Sequence, residues 1–299
     1  MKFNGVMSAI VTPFSNGEID FKSLKKHIRH QIDNGVSGLV VAGSTGEAAT
    51  LSLEEKVKVL KFVVSEVSEQ VEVVMGSGTF NTKESCELAA IFEKEKPSGL
   101  LVVVPYYSKP PQRGQILHFE KIAQSTKLPI ILYNVPSRTA VAMEPSTVGE
   151  LSRRCKNIVG IKEATGDLVI IEQMKGAVPD DFQILSGDDA TFLEAVGAGS
   201  RGVISVVSNL APRWCVDSFG KVKSIKKTDY DLVKLASKLT SELEPLIAAI
   251  YCESNPIPVK WALCEMGIIE SPELRSPLTT LDPKFENLLR SALKKMKLL

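Results

Sequence analysis

Eight short apolar runs recur along the chain with helix-like stretches between them, and no other feature narrows the choice of fold as much. They are MSAIVTP from residue 7, GLVVAG from 38, VEVVMGSG from 71, GLLVVVP from 99, LPIILYNV from 128, IVGIKEA from 158, FQILSGD from 182 and RGVISV from 201. Rich in β-branched residues and too short for buried helices, they read as strands covered on both faces. Strand–helix alternation implies a parallel sheet with helices outside it, and eight units between residues 7 and 206 fit a closed (β/α)8 TIM barrel. A doubly wound open sheet is the alternative, but its glycine fingerprint is missing after the first strand, where Pro13 and Phe14 follow.

From residue 226 the strand signals stop. The expected organisation is a catalytic barrel over residues 1–225 and a helical region over 226–299 packed on it. Within that tail, TDYDLVKLASKLTSELEPLIAAIY reads as an amphipathic helix interrupted at Pro245, and NPIPVKWALCEMG as another starting after a proline-rich turn.

A net charge of +1 gives no electrostatic bias toward nucleic acid or an anionic membrane, so neither is an expected partner. The amino terminus, MKFNGVMSAIVTPF, does not read as a signal peptide, and no apolar run is long enough for a membrane span. The five cysteines form no CxxC pair, which favours free thiols in a reducing cytoplasm. No ligand cluster with metal spacing appears, and no metal or organic cofactor is expected.

In such barrels chemistry sits at the carboxyl ends of the strands. The segments that would meet there are GSTGE (43–47), PYY (105–107), YNVPSRT (133–139), KEATGD (162–167) and SGDD (186–189). Lys162, near the end of an apolar strand, has two readings. It can snorkel outward and pair with a carboxylate such as Glu163. Alternatively it is an amine kept in apolar surroundings, where the neutral form that attacks a carbonyl is favoured and a Schiff base can form. Strict alternation puts Lys162 on one face with Ile158 and Gly160, leaving room beneath the amine, and Tyr133 on one face with Ile131 of the neighbouring strand. A lysine nucleophile beside a phenol that relays protons is what Schiff-base chemistry needs. GSTGE can hold a carboxylate on backbone N–H groups near the start of the next helix, or be a plain tight turn. Arg138, on a loop after a proline, suits a second carboxylate or a surface ion pair. GAGSRGVISV (197–206) raises a phosphate or pyridoxal phosphate reading, but its glycines precede the eighth strand and so lie away from the mouth.

Taken together, GSTGEAATL, YYSKP, YNVPSRT, GIKEATGDL, LSGDDA, GVISV and NPIPVKWA resemble the bacterial dihydrodipicolinate (4-hydroxy-tetrahydrodipicolinate) synthases from the first strand to the carboxyl terminus. The resemblance implies a lyase of the class I aldolase type. It condenses pyruvate with L-aspartate 4-semialdehyde, the first committed step of diaminopimelate and lysine biosynthesis. It also implies roles: Lys162 forms the imine, Tyr133 relays protons with Ser44 and Tyr107, Thr45 holds the pyruvate carboxylate, Arg138 the semialdehyde carboxylate, and Gly187 and Ile204 line the pyruvate pocket. The family is usually a homotetramer of tight dimers in which the tyrosine matching Tyr107 enters the partner's site. Ser44 stands where the synthases more often have threonine, and Ala140 where glycine commonly follows SRT. Alternatives are a pyruvate-dependent sugar-acid aldolase, of the N-acetylneuraminate lyase or 2-keto-3-deoxygluconate aldolase type, and a catalytically silent barrel. Retention of the lysine, tyrosine and hydroxyls argues against the silent barrel.

Many relatives are inhibited by lysine in a cleft between subunits, matched here by Ala48, Ala49, Leu53, Lys56, Phe80, Glu84 and Tyr106. Lys56 repels a cationic effector, and Leu53 and Phe80 offer its amine no acceptor. Weak or absent inhibition is expected, unless Asn81, beside Phe80, turns into the cleft.

Overall fold

The computed structural model describes residues 3–225 and 229–299. Eight parallel strands close into a barrel: β1 (Gly5–Ala9), β4 (Gly38–Val41), β5 (Glu72–Ser77), β6 (Gly99–Val103), β7 (Ile130–Asn134), β8 (Ile158–Glu163), β9 (Gln183–Ser186) and β10 (Gly202–Ser205), which pairs back onto β1. Each falls on one of the apolar runs. A hairpin, β2 (Phe14–Ser15) with β3 (Glu18–Ile19), follows β1. The outer ring is α1 (Phe21–Asp33), α2 (Leu53–Val67), α3 (Thr82–Glu93), α4 (Gln112–Gln124), the single turn α5 (Pro136–Thr139), α6 (Pro145–Arg154), α7 (Leu168–Ala177), α8 (Phe192–Ala198) and α9 (Pro212–Lys223). The tail adds α10 (Asp229–Ile250), α11 (Ile257–Glu265) and α12 (Glu286–Lys295).

Two apolar layers follow from alternation along the strands. Val73, Met75, Leu100, Val102, Ile130 and Leu132 face the helices, where they meet Leu60, Phe92 and Phe119. Their neighbours Val74, Leu101 and Ile131 turn inward and pack with Met7, Val40, Leu185 and Ile204. Phe3, 2% exposed, belongs to this inner layer and lies against the start of β6 at Gly99. The barrel below its mouth is therefore filled.

On β8 strict alternation fails. The register against β7 jumps from Ile130 opposite Ile158 to Ile131 opposite Gly160, leaving Val159 as an extra residue. Ile158 accordingly joins Ile161 in the outer layer while Val159 packs on the inner one, correcting the expected shared face of Ile158 and Lys162. The bulge re-aims the strand so that Lys162 still arrives inside.

The tail shares a core with the barrel. Val6 and Val203 from β1 and β10 cluster with Leu193, Phe219, Leu243, Leu246, Val259 and Leu293 from α8 to α12. The expected boundary after residue 225 adjoins residues 226–228, which lie outside the described residues. Pro245 does not interrupt its helix, contrary to expectation: α10 runs through it. Proline removes one N–H from a helix interior, and leucines buried on either side, Leu243 and Leu246, keep this helix anchored to the shared core.

Candidate active site

Lys162 and Tyr133 are directly opposite one another on β8 and β7. Both are buried, at 5% and 8% exposure, and the lysine Nζ lies 4.5 Å from the centroid of the tyrosine ring. The neighbouring carboxylate is committed elsewhere. Glu163 Oε2 accepts from Asn134 Nδ2 at 2.7 Å and Oε1 from the Thr165 N–H at 2.9 Å, and burial pushes its carboxyl up. Among the described residues Lys162 makes no ion pair, so the snorkelling reading, with Glu163 as partner, fails. A buried amine without a counter-ion is an expensive arrangement that a structural role does not require.

Room around the amine comes from Gly187 and not from Gly160. A Cβ on Gly187 would lie 2.8 Å from Lys162 Cε, whereas one on Gly160 would meet the Gln183 carbonyl at 2.6 Å. Gly160 thus serves the close approach of β9. Ile204, expected to line the pocket, is fully buried in the inner layer, and Val206 takes the lining position.

Above Lys162 opens a cavity of about 400 Å³, bordered by Ser44, Thr45, Tyr133, Arg138, Lys162 and Gly187. Ser44 faces it from the GSTGE turn, and the buried Thr45 Oγ1 accepts from Asn255 Nδ2 at 2.9 Å. The N-terminus of α2 is not available to a ligand here, because Ser52 and Glu55 cap it reciprocally. Arg138 sits on the helical turn α5 and not on a loop, with Pro136 at the first helical position and its Nη2 donating to the Asn255 carbonyl at 3.4 Å. Ala140 ends that turn at φ 57, the left-handed conformation that glycine adopts without strain. The glycines before β10 lie away from the mouth as expected, Gly199 closing α8.

Tyr107 is the exception. It is 88% exposed and borders neither this cavity nor the adjoining one, so within a single chain the Tyr133–Ser44–Tyr107 relay is not assembled. Asp188, from the expected SGDD segment, borders the site, as do Asn255 and Tyr251, to which sequence reading gave no role; Tyr251 Oη donates to the buried Asp189 carboxylate at 3.4 Å. Asn255 stands at the start of NPIPVK, and its partner Thr45 lies 210 residues away in the sequence.

A larger cavity of about 530 Å³ adjoins the first through Ser44, Tyr133 and Arg138. Five cleft residues, Ala48, Ala49, Lys56, Glu84 and Tyr106, border it, while Leu53 and Phe80 remain exposed outside it. Burial pushes the Lys56 amine down, Phe80 packs edge-on to Tyr106 at 5.4 Å, and Asn81 is committed to capping α3. Among the described residues no cluster of His, Cys, Asp and Glu fit for a metal occurs, and no helix is long and apolar enough to cross a membrane.

A profile of the Dihydrodipicolinate synthetase family matches residues 2–296. The chain belongs to that family. It is 43% identical to the 4-hydroxy-tetrahydrodipicolinate synthase of Oleidesulfovibrio alaskensis over 98% of each chain. Its structure matches the dihydrodipicolinate synthase of Thermotoga maritima with a TM-score of 0.95 at 40% identity, covering 100% of both chains. It also matches a structure described as the first monomeric dihydrodipicolinate synthase variant with a TM-score of 0.94 at 41% identity, covering 99% of this chain and 98% of that one. As a dihydrodipicolinate synthetase family member the chain is a lyase of the class I aldolase type built on a TIM barrel, as the resemblance implied.

Proposed function

We infer that this chain is a synthase condensing pyruvate with L-aspartate 4-semialdehyde through a Schiff base on Lys162. The observation that carries the chemistry is the buried amine of Lys162 against the ring of Tyr133, with no ion pair among the described residues. Lys162 Nζ adds to the keto carbon of pyruvate, and the carbonyl oxygen takes protons and departs as water, leaving an imine. Loss of a methyl proton gives the enamine, whose terminal carbon attacks the aldehyde; the aldehyde oxygen takes a proton and becomes a hydroxyl. The amino group of the semialdehyde then displaces Lys162 from the imine carbon and closes the ring. Tyr133 is the proton carrier, with Ser44 as its link to the mouth.

Thr45 is the ligand of the pyruvate carboxylate and Arg138 that of the semialdehyde carboxylate. The arginine's place on the cavity border favours this aldehyde over the uncharged chain of a sugar acid. Gly187 provides the space at the imine. Tyr107 completes the relay from a second subunit, a role that its exposure and its place outside the lining of its own cavity support. A tight dimer is thus the minimal active unit, and a dimer of dimers the full assembly. The reaction runs in the cytoplasm, where the five free thiols are stable.

Borohydride reduction in the presence of pyruvate, read by intact and peptide mass, tests the chemistry. A pyruvyl adduct confined to Lys162 and absent from Lys162→Ala is expected; an adduct on another lysine, or none, overturns it. Mixing inactive Lys162→Ala with inactive Tyr107→Phe tests the exchange of Tyr107: activity returns in the hybrid if subunits share sites and stays absent if they do not.

A further inference from the structure

Thr45 and Arg138, read above as the two carboxylate ligands, are both held by one remote segment. Asn255 donates from Nδ2 to Thr45 Oγ1 at 2.9 Å, and its carbonyl accepts from Arg138 at 3.4 Å. Five residues on, α11 carries Lys260, whose side chain is fully buried. Its ammonium pairs with the equally buried Glu47, donates to the Glu273 carbonyl at 2.8 Å and lies 4.1 Å from the centroid of the Phe14 ring.

Glu47 is the last residue of GSTGE, and its backbone is left-handed at φ 53. A side-chain-bearing residue stays in that region only where its surroundings hold it there. Here the holders are Lys260 on one carboxylate oxygen and the Arg275 N–H on the other at 3.0 Å. Ala42, before the turn, is also left-handed, at φ 48. Ser44 and Thr45 therefore hang between two strained residues, and the Glu47 N–H donates to the Ser44 carbonyl at 3.2 Å. A shift of Glu47 is passed to the backbone of the turn that carries Thr45.

Stability does not account for the pair. Taking two charges out of water costs about as much as their attraction returns, so a buried pair is weak evidence of stabilisation, and what this one visibly does is hold the turn through Glu47. We propose that Glu47 and Lys260 are positioning residues for the pyruvate-binding turn, and that the Asn255–Lys260 segment is a brace setting the distance between the two carboxylate sites. This rests on the reading of Thr45 as the pyruvate carboxylate ligand.

The test uses the full chain and compares wild type with Glu47→Gln/Lys260→Met. The double variant removes both charges at similar volume, whereas either single change strands a buried charge. Two quantities are read against pyruvate concentration: the yield of pyruvyl-Lys162 after borohydride, and the split between KM and kcat. The expected result is a wild-type maximal yield reached only at tenfold or more higher pyruvate, a loss of about 1.4 kcal/mol in binding. KM rises in proportion and kcat changes less than about threefold, the signature of lost ground-state binding. A purely structural pair lowers the maximal yield through unfolding while leaving the half-saturating concentration within twofold, and that outcome overturns the proposal.

Should urea unfolding show the double variant to be unfolded, Asn255→Ala decides. It leaves the ion pair intact and cuts the brace at Thr45, so the same shift is expected, and an unchanged half-saturation overturns the proposal. Absence of any adduct in wild type brings down the Schiff-base reading itself, and the brace with it.

Discussion

Alanine at Gly187 is the smallest change that should disable the amine while leaving the barrel standing. Its Cβ would lie 2.6 Å from Ala164 Cβ and 2.8 Å from Lys162 Cε, where ordinary contact begins at 3.4 Å. The Ala164 methyl cannot swing away, so that contact is relieved by a small backbone shift, while the flexible lysine yields by roughly the missing 0.6 Å. Its retreat is limited by the Tyr133 ring, 4.5 Å from Nζ. Misplacement by about 1 Å can cost about 100-fold in rate. A shift of just over half that size is expected to slow pyruvate-imine formation about 10- to 100-fold, or about 1.4 to 2.7 kcal/mol of barrier. Overpacking should lower stability by about 1–3 kcal/mol. Stopped borohydride trapping gives the rate and urea unfolding the stability. Gly176→Ala is the control: nothing lies within 4 Å of its Cβ, so it should trap pyruvate at the wild-type rate. A Gly187→Ala enzyme that traps pyruvate as fast as wild type would refute the assignment of that space to the lysine.

Three further outcomes are expected. Ala140→Gly relieves the left-handed strain at φ 57 and should raise the urea midpoint, by about 1 kcal/mol in unfolding free energy; a fall would show that the methyl group packs usefully. The Arg275 guanidinium holds the Glu55 carboxyl down at about 2, against an ordinary 4.5, so its stabilisation is complete above pH 4.5 and is lost as pH falls toward 2. Arg275→Gln should therefore lower stability by about 1–3 kcal/mol at neutral pH, and the two urea-midpoint curves should converge across that acidic window; a gap independent of pH contradicts the linkage. Added lysine should inhibit weakly or not at all, since Asn81 is committed to its helix cap and Lys56 faces the cleft; saturable inhibition at sub-millimolar lysine in an initial-rate assay would sink this.

The strands were legible because a parallel barrel buries both faces of each strand, which leaves uninterrupted apolar runs that polar linkers cannot imitate. Lys162 and Tyr133 were legible for the converse reason, as polar groups at the ends of such runs. The β2–β3 hairpin escaped notice although Asn16-Gly17, at φ 52 and 82, is the preferred two-residue turn. The Val159 bulge had no local sign, because register is settled between strands. Glu47, Lys260 and Asn255 were invisible for a related reason. A charge reads as a surface residue until the fold brings in its partner, and here the partners are separated by more than 200 residues.

The filled lower barrel, from Phe3 up to the layer beneath Lys162, governs the order of events. The amine is buried and Arg138 is exposed on the same cavity, so an aldehyde held at Arg138 first stands above the amine that pyruvate must reach, while pyruvate that arrives first leaves Arg138 free. Sequence of arrival is thus written into the depth of the site, and a surplus of aldehyde should slow its own consumption by crowding the threshold.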